Sequence, residues 1–187
     1  MRRVVVTEYI ALDGIFEEPG EWSFPFWNEE AFKFKYDELF ASDAQLLGRL
    51  TYEGFARAWP TMSDEVGFAD RMNSMPKYVV STTLENPEWT NTTVIRGNVP
   101  EAVAQLKREP GQDILVAGSG RLVRTLGEHD LVDEYRFMVH PIALGSGKRL
   151  FDGRTAFTLV DSRAFSSGIV VLTYQPGPKE SGESVSS

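Results

Sequence analysis

Ala117-Gly118-Ser119-Gly120-Arg121-Leu122 is the stretch on which the reading of the fold turns. Before it, residues 113–116 (Asp-Ile-Leu-Val) read as a short buried strand, and after it 122–126 (Leu-Val-Arg-Thr-Leu) read as a turn or two of helix. A strand that stops at Gly-x-Gly and passes straight into a helix gathers unpaired backbone N–H groups at one point. The positive end of the helix dipole lies there too, so the point suits a phosphate. The same two glycines also suit a plain tight turn with positive φ. The stretch is not the dinucleotide fingerprint G-x-G-x-x-G, because Val123 stands where the third glycine belongs.

Composition narrows the classes. The chain has 187 residues, 42% hydrophobic and 25% charged, which is an ordinary globular balance for one domain. We read 1–175 as that domain and the polar stretch 176–187 as a disordered tail. There are no cysteines, which excludes disulfides, thiolate metal sites and a cysteine nucleophile. The two histidines, His129 and His140, lack the spacing of paired zinc ligands on a helix, so no metal is expected. A net charge of −8 argues against a nucleic-acid surface. No window is long and apolar enough to span a membrane, and the apolar run after Arg3 is interrupted at Thr7 and Glu8, so the expected location is the cytoplasm.

Strand and helix alternate outward from the central stretch. Residues 3–10 are β-branched and read as the first strand, closed by Leu12-Asp13-Gly14. Residues 15–28 hold Phe16, Trp22, Phe24, Phe26 and Trp27 without periodicity and read as a long loop that covers the core or walls a pocket. Asn28 caps a helix with Glu29 and Glu30 in its first turn. Strands follow at 44–48, 77–81, 91–96 and 113–117. Between them, Thr51 caps a helix over 52–58, and Asn98 caps another that ends at Gly111. A strand at 131–139 and a hairpin of 157–165 with 168–174 finish the pattern. Alternation implies parallel strands joined by crossover helices, with an antiparallel hairpin at the end.

In such a sheet, ligands bind beyond the carboxyl ends of the strands. Four features lie there: Asp13-Gly14, Gly48-Arg49-Leu50-Thr51, Ser81-Thr82 and Gly118-Ser119-Gly120. Cationic, hydroxyl and backbone donors from separate strand ends suit a ligand with several phosphates. Gly145-Ser146-Gly147-Lys148-Arg149 is not a Walker loop, because Ile142 stands at the required glycine.

Gly48-Arg49-Leu50-Thr51-Tyr52-Glu53-Gly54-Phe55 resembles the Gly-Arg-x-Thr segment of the dihydrofolate reductase fold. Together with Leu12-Asp13-Gly14, Gly118-Ser119-Gly120, 131–134 and His140 to Phe151, it is similar to the C-terminal reductase domain of the bifunctional riboflavin-biosynthesis deaminase/reductase, across about residues 2–175. The resemblance implies a three-layer α/β/α dihydrofolate reductase-like fold with a mostly parallel mixed sheet. It implies an NADPH-dependent reductase that passes hydride to a small heterocycle, in the manner of 5-amino-6-(5-phosphoribosylamino)uracil reductase, and a homodimer. Gly48, Arg49 and Thr51 would hold the adenosine phosphates, with Arg49 and Ser81 near the 2′-phosphate and Thr82 among the cofactor-binding residues. Gly118, Ser119, Gly120, Arg121 and Leu122 would hold the pyrophosphate.

Asp13 is the first candidate for the proton donor, and Glu29 or Glu30 the next. Trp22, Phe26 and Trp27 would wall the substrate site. The aromatic insertion before the first helix displaces the carboxylate that protonates the pterin in dihydrofolate reductases. A non-catalytic NADP(H)-binding module and a folate or pterin reductase are the alternatives.

Overall fold

The computed structural model describes residues 1–178. The chain runs β1 (Val4–Ala11), α1 (Pro19–Trp22), α2 (Glu29–Phe40), β2 (Ser42–Gly48), α3 (Arg49–Ala58), α4 (Phe68–Ser74), β3 (Lys77–Val80), β4 (Thr92–Ile95), α5 (Val99–Arg108), β5 (Asp113–Ala117), α6 (Gly120–Glu128), β6 (Glu134–His140), β7 (Phe157–Ala164) and β8 (Val170–Pro176). Among the described residues the strands form one eight-stranded sheet in the order β4-β3-β2-β5-β1-β6-β8-β7. Every pairing from β4 across to β6 is parallel, and β8 runs antiparallel between β6 and β7. This is the expected dihydrofolate reductase-like architecture, a mostly parallel mixed sheet closed by a hairpin. No helix among the described residues is long and apolar enough to cross a membrane.

The period of two along β1 builds the layers. Val4 and Val6 face one way, into a core with Val103 and Leu106 of α5 and Leu122, Val123 and Leu126 of α6. Val5 faces the other way, toward Leu39 of α2, Tyr52 of α3 and Met72 of α4. Both faces of β1 are therefore covered, and its valines are fully buried. Each such side chain contributes about 1.5–3 kcal/mol by leaving water.

Asn28 caps α2 as expected, its Oδ1 accepting from the Ala31 N–H at 3.0 Å. Other boundaries move. Helix α3 begins at Arg49 with extended Gly48 as its N-cap, so Thr51 lies inside the first turn. Asn98 adopts positive φ and makes no side-chain cap bond. Leu131 and Val132 stand before β6, because the Leu131 N–H closes the end of α6 on Leu126 O. The loop at 15–28 contains α1 and a 3₁₀ turn, Phe24–Phe26. Pro176 ends β8, so the strand reaches into the expected tail, and 179–187 lie outside the described residues.

Lys77 shows how the short edge of the sheet is held. It is fully buried, and its Nζ donates to Asn73 O at 2.5 Å, Met75 O at 2.9 Å and Thr90 O at 3.1 Å. It also lies 4.2 Å from the centre of the Trp89 ring. One ammonium thus joins the end of α4 to the loop before β4, and its burial lowers its pKa to about 8.

Candidate functional site

The carboxyl ends of β1, β5, β2 and β3 lie side by side and open into one cleft of about 2520 Å³. β5 inserts between β2 and β1, and the chain then crosses β1 to reach β6, so the sheet leaves a crevice at this edge. Gly48, Arg49, Thr51, Ser81, Thr82, Gly118, Ser119, Gly120, Arg121 and Leu122 all line it. The tertiary structure brings that whole set together.

Ser119 organises the polar half. It has φ 66, a left-handed conformation uncommon for a residue other than glycine. Gly118 before it also has positive φ, 57. This backbone turns the Ser119 hydroxyl away from its own helix. Its Oγ accepts the Gly48 N–H at 2.8 Å and donates to Thr51 Oγ1 at 3.0 Å. The start of α6 is thereby latched to the start of α3. Neither helix has a side-chain cap bond, and the first-turn residues of both, Arg49 to Thr51 and Gly120 to Leu122, line the same cleft.

The cradle is shaped for bare backbone. A Cβ on Gly118 would sit 3.0 Å from Thr51 Oγ1, and one on Gly48 would sit 3.3 Å from Ser119 Oγ. The Arg121 guanidinium makes no ion pair among the described residues, whereas Arg49 reaches Glu53 at 2.8 Å. Ser81 Oγ accepts from the N–H groups of Thr83 and Leu84, which shapes the turn after β3.

The other half of the cleft is aromatic, lined by Phe24, Trp27, Phe32, Phe55, Trp59 and Phe68, while Phe16 lies against Gly120 of the cradle. Of the expected wall residues, Trp27 is there, packed edge-on against Tyr9 at 5.7 Å. Trp22 and Phe26 do not line the cleft. They turn inward, their rings 5.3 and 6.2 Å from that of buried His140.

Asp13 and Glu29 lie away from the cleft lining. Asp13 Oδ2 accepts the N–H groups of Gly145 at 2.7 Å and Leu144 at 3.0 Å, clamping two loops together. The Gly145 N–H, opposed by desolvation and aided by other backbone N–H groups, holds this carboxyl below the usual carboxylate range. Glu29 is exposed at the start of α2, and its neighbour Glu30 accepts from the N–H of Ser166 at 2.7 Å.

Among the carboxyl groups that line the cleft, the one on a central strand is Glu8, in the middle of β1. It is 3% exposed, and burial raises its pKa to about 8 against the opposing pull of Lys35 and the Gly118 N–H. Its sequence position hides it, because a glutamate in a β-branched run reads as one solvent-facing strand position. A charged residue in phase with Val4 and Val6, inside an otherwise apolar strand, is the available signal.

Lys35 of α2 lines the cleft from the opposite face of the sheet. Its Nζ donates to Thr7 Oγ1 at 2.9 Å and pairs closely with Glu38. Glu38 continues to Arg136 at 3.3 Å, Arg136 to Glu134 at 2.6 Å, and Glu134 to Arg3 at 3.0 Å. Buried charges arranged in this way satisfy one another and fix Lys35 in place.

The RibD C-terminal domain model matches residues 2–171. The chain belongs to the RibD C-terminal domain family. It is 33% identical over 180 residues to the uncharacterized protein YyaP of Bacillus subtilis (strain 168), covering 92% of this chain and 94% of that one. The uncharacterized protein YwjB of the same strain is 30% identical over 154 residues, with 80% and 83% covered. Solved structures share the fold. A putative riboflavin biosynthesis protein from Shewanella sp. PV-4 superposes with a TM-score of 0.75 at 19% identity, covering 94% and 99%. The deaminase/5-amino-6-(5-phosphoribosylamino)uracil reductase of Thermotoga maritima superposes with a TM-score of 0.65 at 16% identity, covering 94% of this chain and 57% of that one. YyaP and the Shewanella protein are thus matched nearly end to end, and the Thermotoga maritima protein over little more than half.

Proposed function

We propose that this member of the RibD C-terminal domain family is a reductase that uses NADPH to reduce a C=N or C=O group in a small planar heterocycle. One observation carries the reading. Two latched, uncapped helix starts meet at the sheet's crevice, and the same cleft continues into an aromatic half. An extended ligand with phosphates at one end and a flat ring at the other suits both halves. The name of the Thermotoga maritima relative, a reductase of a phosphoribosylaminouracil, supports the same substrate class.

The donor set fits a dinucleotide. The N–H groups at the start of α6, with Arg121, would hold the pyrophosphate, and those at the start of α3, with Arg49, the adenosine phosphates. Thr82, exposed at the end of β3, and Ser81 would border the 2′-phosphate. Bound there, the nucleotide supplies a hydride donor. The protein's own part is to fix its phosphates, to stack a planar substrate on Trp27 and its aromatic neighbours, and to exclude water.

The test is nucleotide binding by tryptophan fluorescence and thermal shift, with NADPH and NADH in parallel. Trp27 and Trp59 line the cleft and act as the reporters. The expected result is quenching and a raised Tm with NADPH, and a weaker response to NADH because Arg49 loses its phosphate. A protein that responds to neither nucleotide overturns the reading.

A further inference from the structure

Among the described residues, three that line the cleft carry a buried polar atom with no hydrogen-bond partner: Glu8 Oε1, Ser23 Oγ and Trp27 Nε1. Buried polar groups are rarely left unpaired, because each costs about 1–3 kcal/mol. A carboxyl oxygen, a hydroxyl and an indole N–H, buried on three residues that line one cleft, are a set that a polar heterocycle seated against them would satisfy. Of the three, only Glu8 can give up a proton near neutral pH.

Its placement singles it out. Glu8 sits on β1, between β5 and β6, one strand from the phosphate cradle. The backbone N–H of Gly118, the first residue of that cradle, is directed at the Glu8 carboxyl. Glu8 and the cradle thus line the same cleft. The other carboxyl groups that line the cleft are engaged or exposed: Glu17 pairs with Lys148 at 2.7 Å, Asp64 accepts the N–H groups of Val66, Phe68 and Ala69, Asp152 lies 3.7 Å from Arg124, and Glu18 is exposed. Asp13 is held ionised by two backbone N–H groups. His140 is fully buried among Tyr9, Trp22 and Phe26 and does not line the cleft.

We propose that Glu8 is the catalytic acid of this cleft, handing its carboxyl proton to the substrate nitrogen or oxygen as the adjacent carbon accepts hydride from the reduced nicotinamide. The inference rests on the reductase reading above. The balance is closed: the C=N or C=O bond becomes a single bond, a C–H and an N–H or O–H bond form, the nicotinamide is oxidised, and Glu8 is left as carboxylate. Water entering the opened cleft returns the proton.

The charged groups around Glu8 suit the task. From α2, Lys35 attracts the carboxylate, but its ammonium is already shared by Thr7 and Glu38. From α6, Arg121 and Arg124 line the same cleft, and from the facing loops so do Glu17, Lys148, Arg149 and Asp152. Burial outweighs the pull of Lys35 and keeps the proton on Glu8 to about pH 8. A carboxyl group so tuned is a competent acid at neutral pH.

The test is proton linkage, which needs no substrate. NADP+ and NADPH are titrated into the protein near pH 7 by calorimetry, in buffers of differing ionisation enthalpy. The wild type is compared with Glu8→Gln. The positive ring of NADP+ favours the carboxylate, so wild type is expected to release a substantial fraction of about one proton with NADP+ and much less with NADPH. Glu8→Gln is expected to bind both and to lose the difference.

If Glu8→Gln fails to fold, wild-type protein carrying 13C-labelled glutamate gives the same answer. Its protonated-carboxyl infrared band should fade with NADP+ and persist with NADPH. Equal proton release with the two nucleotides, or a difference that survives Glu8→Gln, overturns the assignment and leaves the reductase reading standing. Failure of both nucleotides to bind removes the two together.

Discussion

Replacing Glu8 with glutamine should change how stability depends on pH, whatever the cleft binds. Burial raises the pKa of this carboxyl from 4.5 to about 8. Between those values the folded protein holds a proton that the unfolded chain has lost. Stability contributed by the group is therefore full below pH 4.5 and is lost as pH rises toward 8. The slope is about 1.4 kcal/mol per pH unit. Over the window from 4.5 to about 8 the loss sums to roughly 5 kcal/mol, an upper figure because the cleft lets some water relax around the ion.

The glutamine side chain keeps the volume and the burial but has no proton to lose. Urea denaturation of both proteins at about pH 5, 6, 7 and 8 is the assay. The wild type should lose ground against Glu8→Gln at each step, until the variant is the more stable by several kcal/mol at alkaline pH. Because only the difference is read, other titrating groups cancel. Parallel stability curves across that range would refute the reasoning and place the Glu8 pKa near that of an ordinary carboxylate.

Further outcomes follow from single contacts. Ser119→Ala removes the latch between α3 and α6; it should cost about 1–2 kcal/mol in chemical denaturation and weaken NADPH binding about tenfold. Gly120→Ala would place a Cβ 2.5 Å from Phe16 Cζ, and the overpacking should cost about 1–3 kcal/mol. Adding Phe16→Ala should recover most of that loss, and an additive double mutant would show that the ring is not the obstacle. Lys77→Met leaves three carbonyl oxygens without their shared donor, so its Tm should fall by an amount equivalent to about 3 kcal/mol.

Several elements were legible because local chemistry decides them. The β-branched run 4–6 and the apolar run 114–116 became central strands, and Asn28 capped α2 through its own side chain. The start of α3 was misplaced by local reasoning. Thr51 has the chemistry of a cap, but its hydroxyl is engaged by Ser119, 68 positions away along the chain, and extended Gly48 begins the helix instead. Composition alone groups Trp22 and Phe26 with Trp27. Which rings face the cleft depends on how α1 and the turn after it pack against His140, and nothing in an aperiodic stretch encodes that.

The sequence by itself determined the alternation of strand and helix, the closing hairpin, and the glycine and hydroxyl residues at the strand ends. Those features follow from short-range sterics and from periods of two and 3.6, which a linear chain displays. Only the tertiary structure decided the strand order, and that order makes the site. It inserts β5 between β1 and β2, which sets Gly118 against Thr51 and Gly48 against Ser119. It also buries Glu8 between two parallel strands and tethers Asp13 to a distant loop. A carboxyl group's role depends on its solvation and on the partners it meets, and both come from residues far apart in the chain.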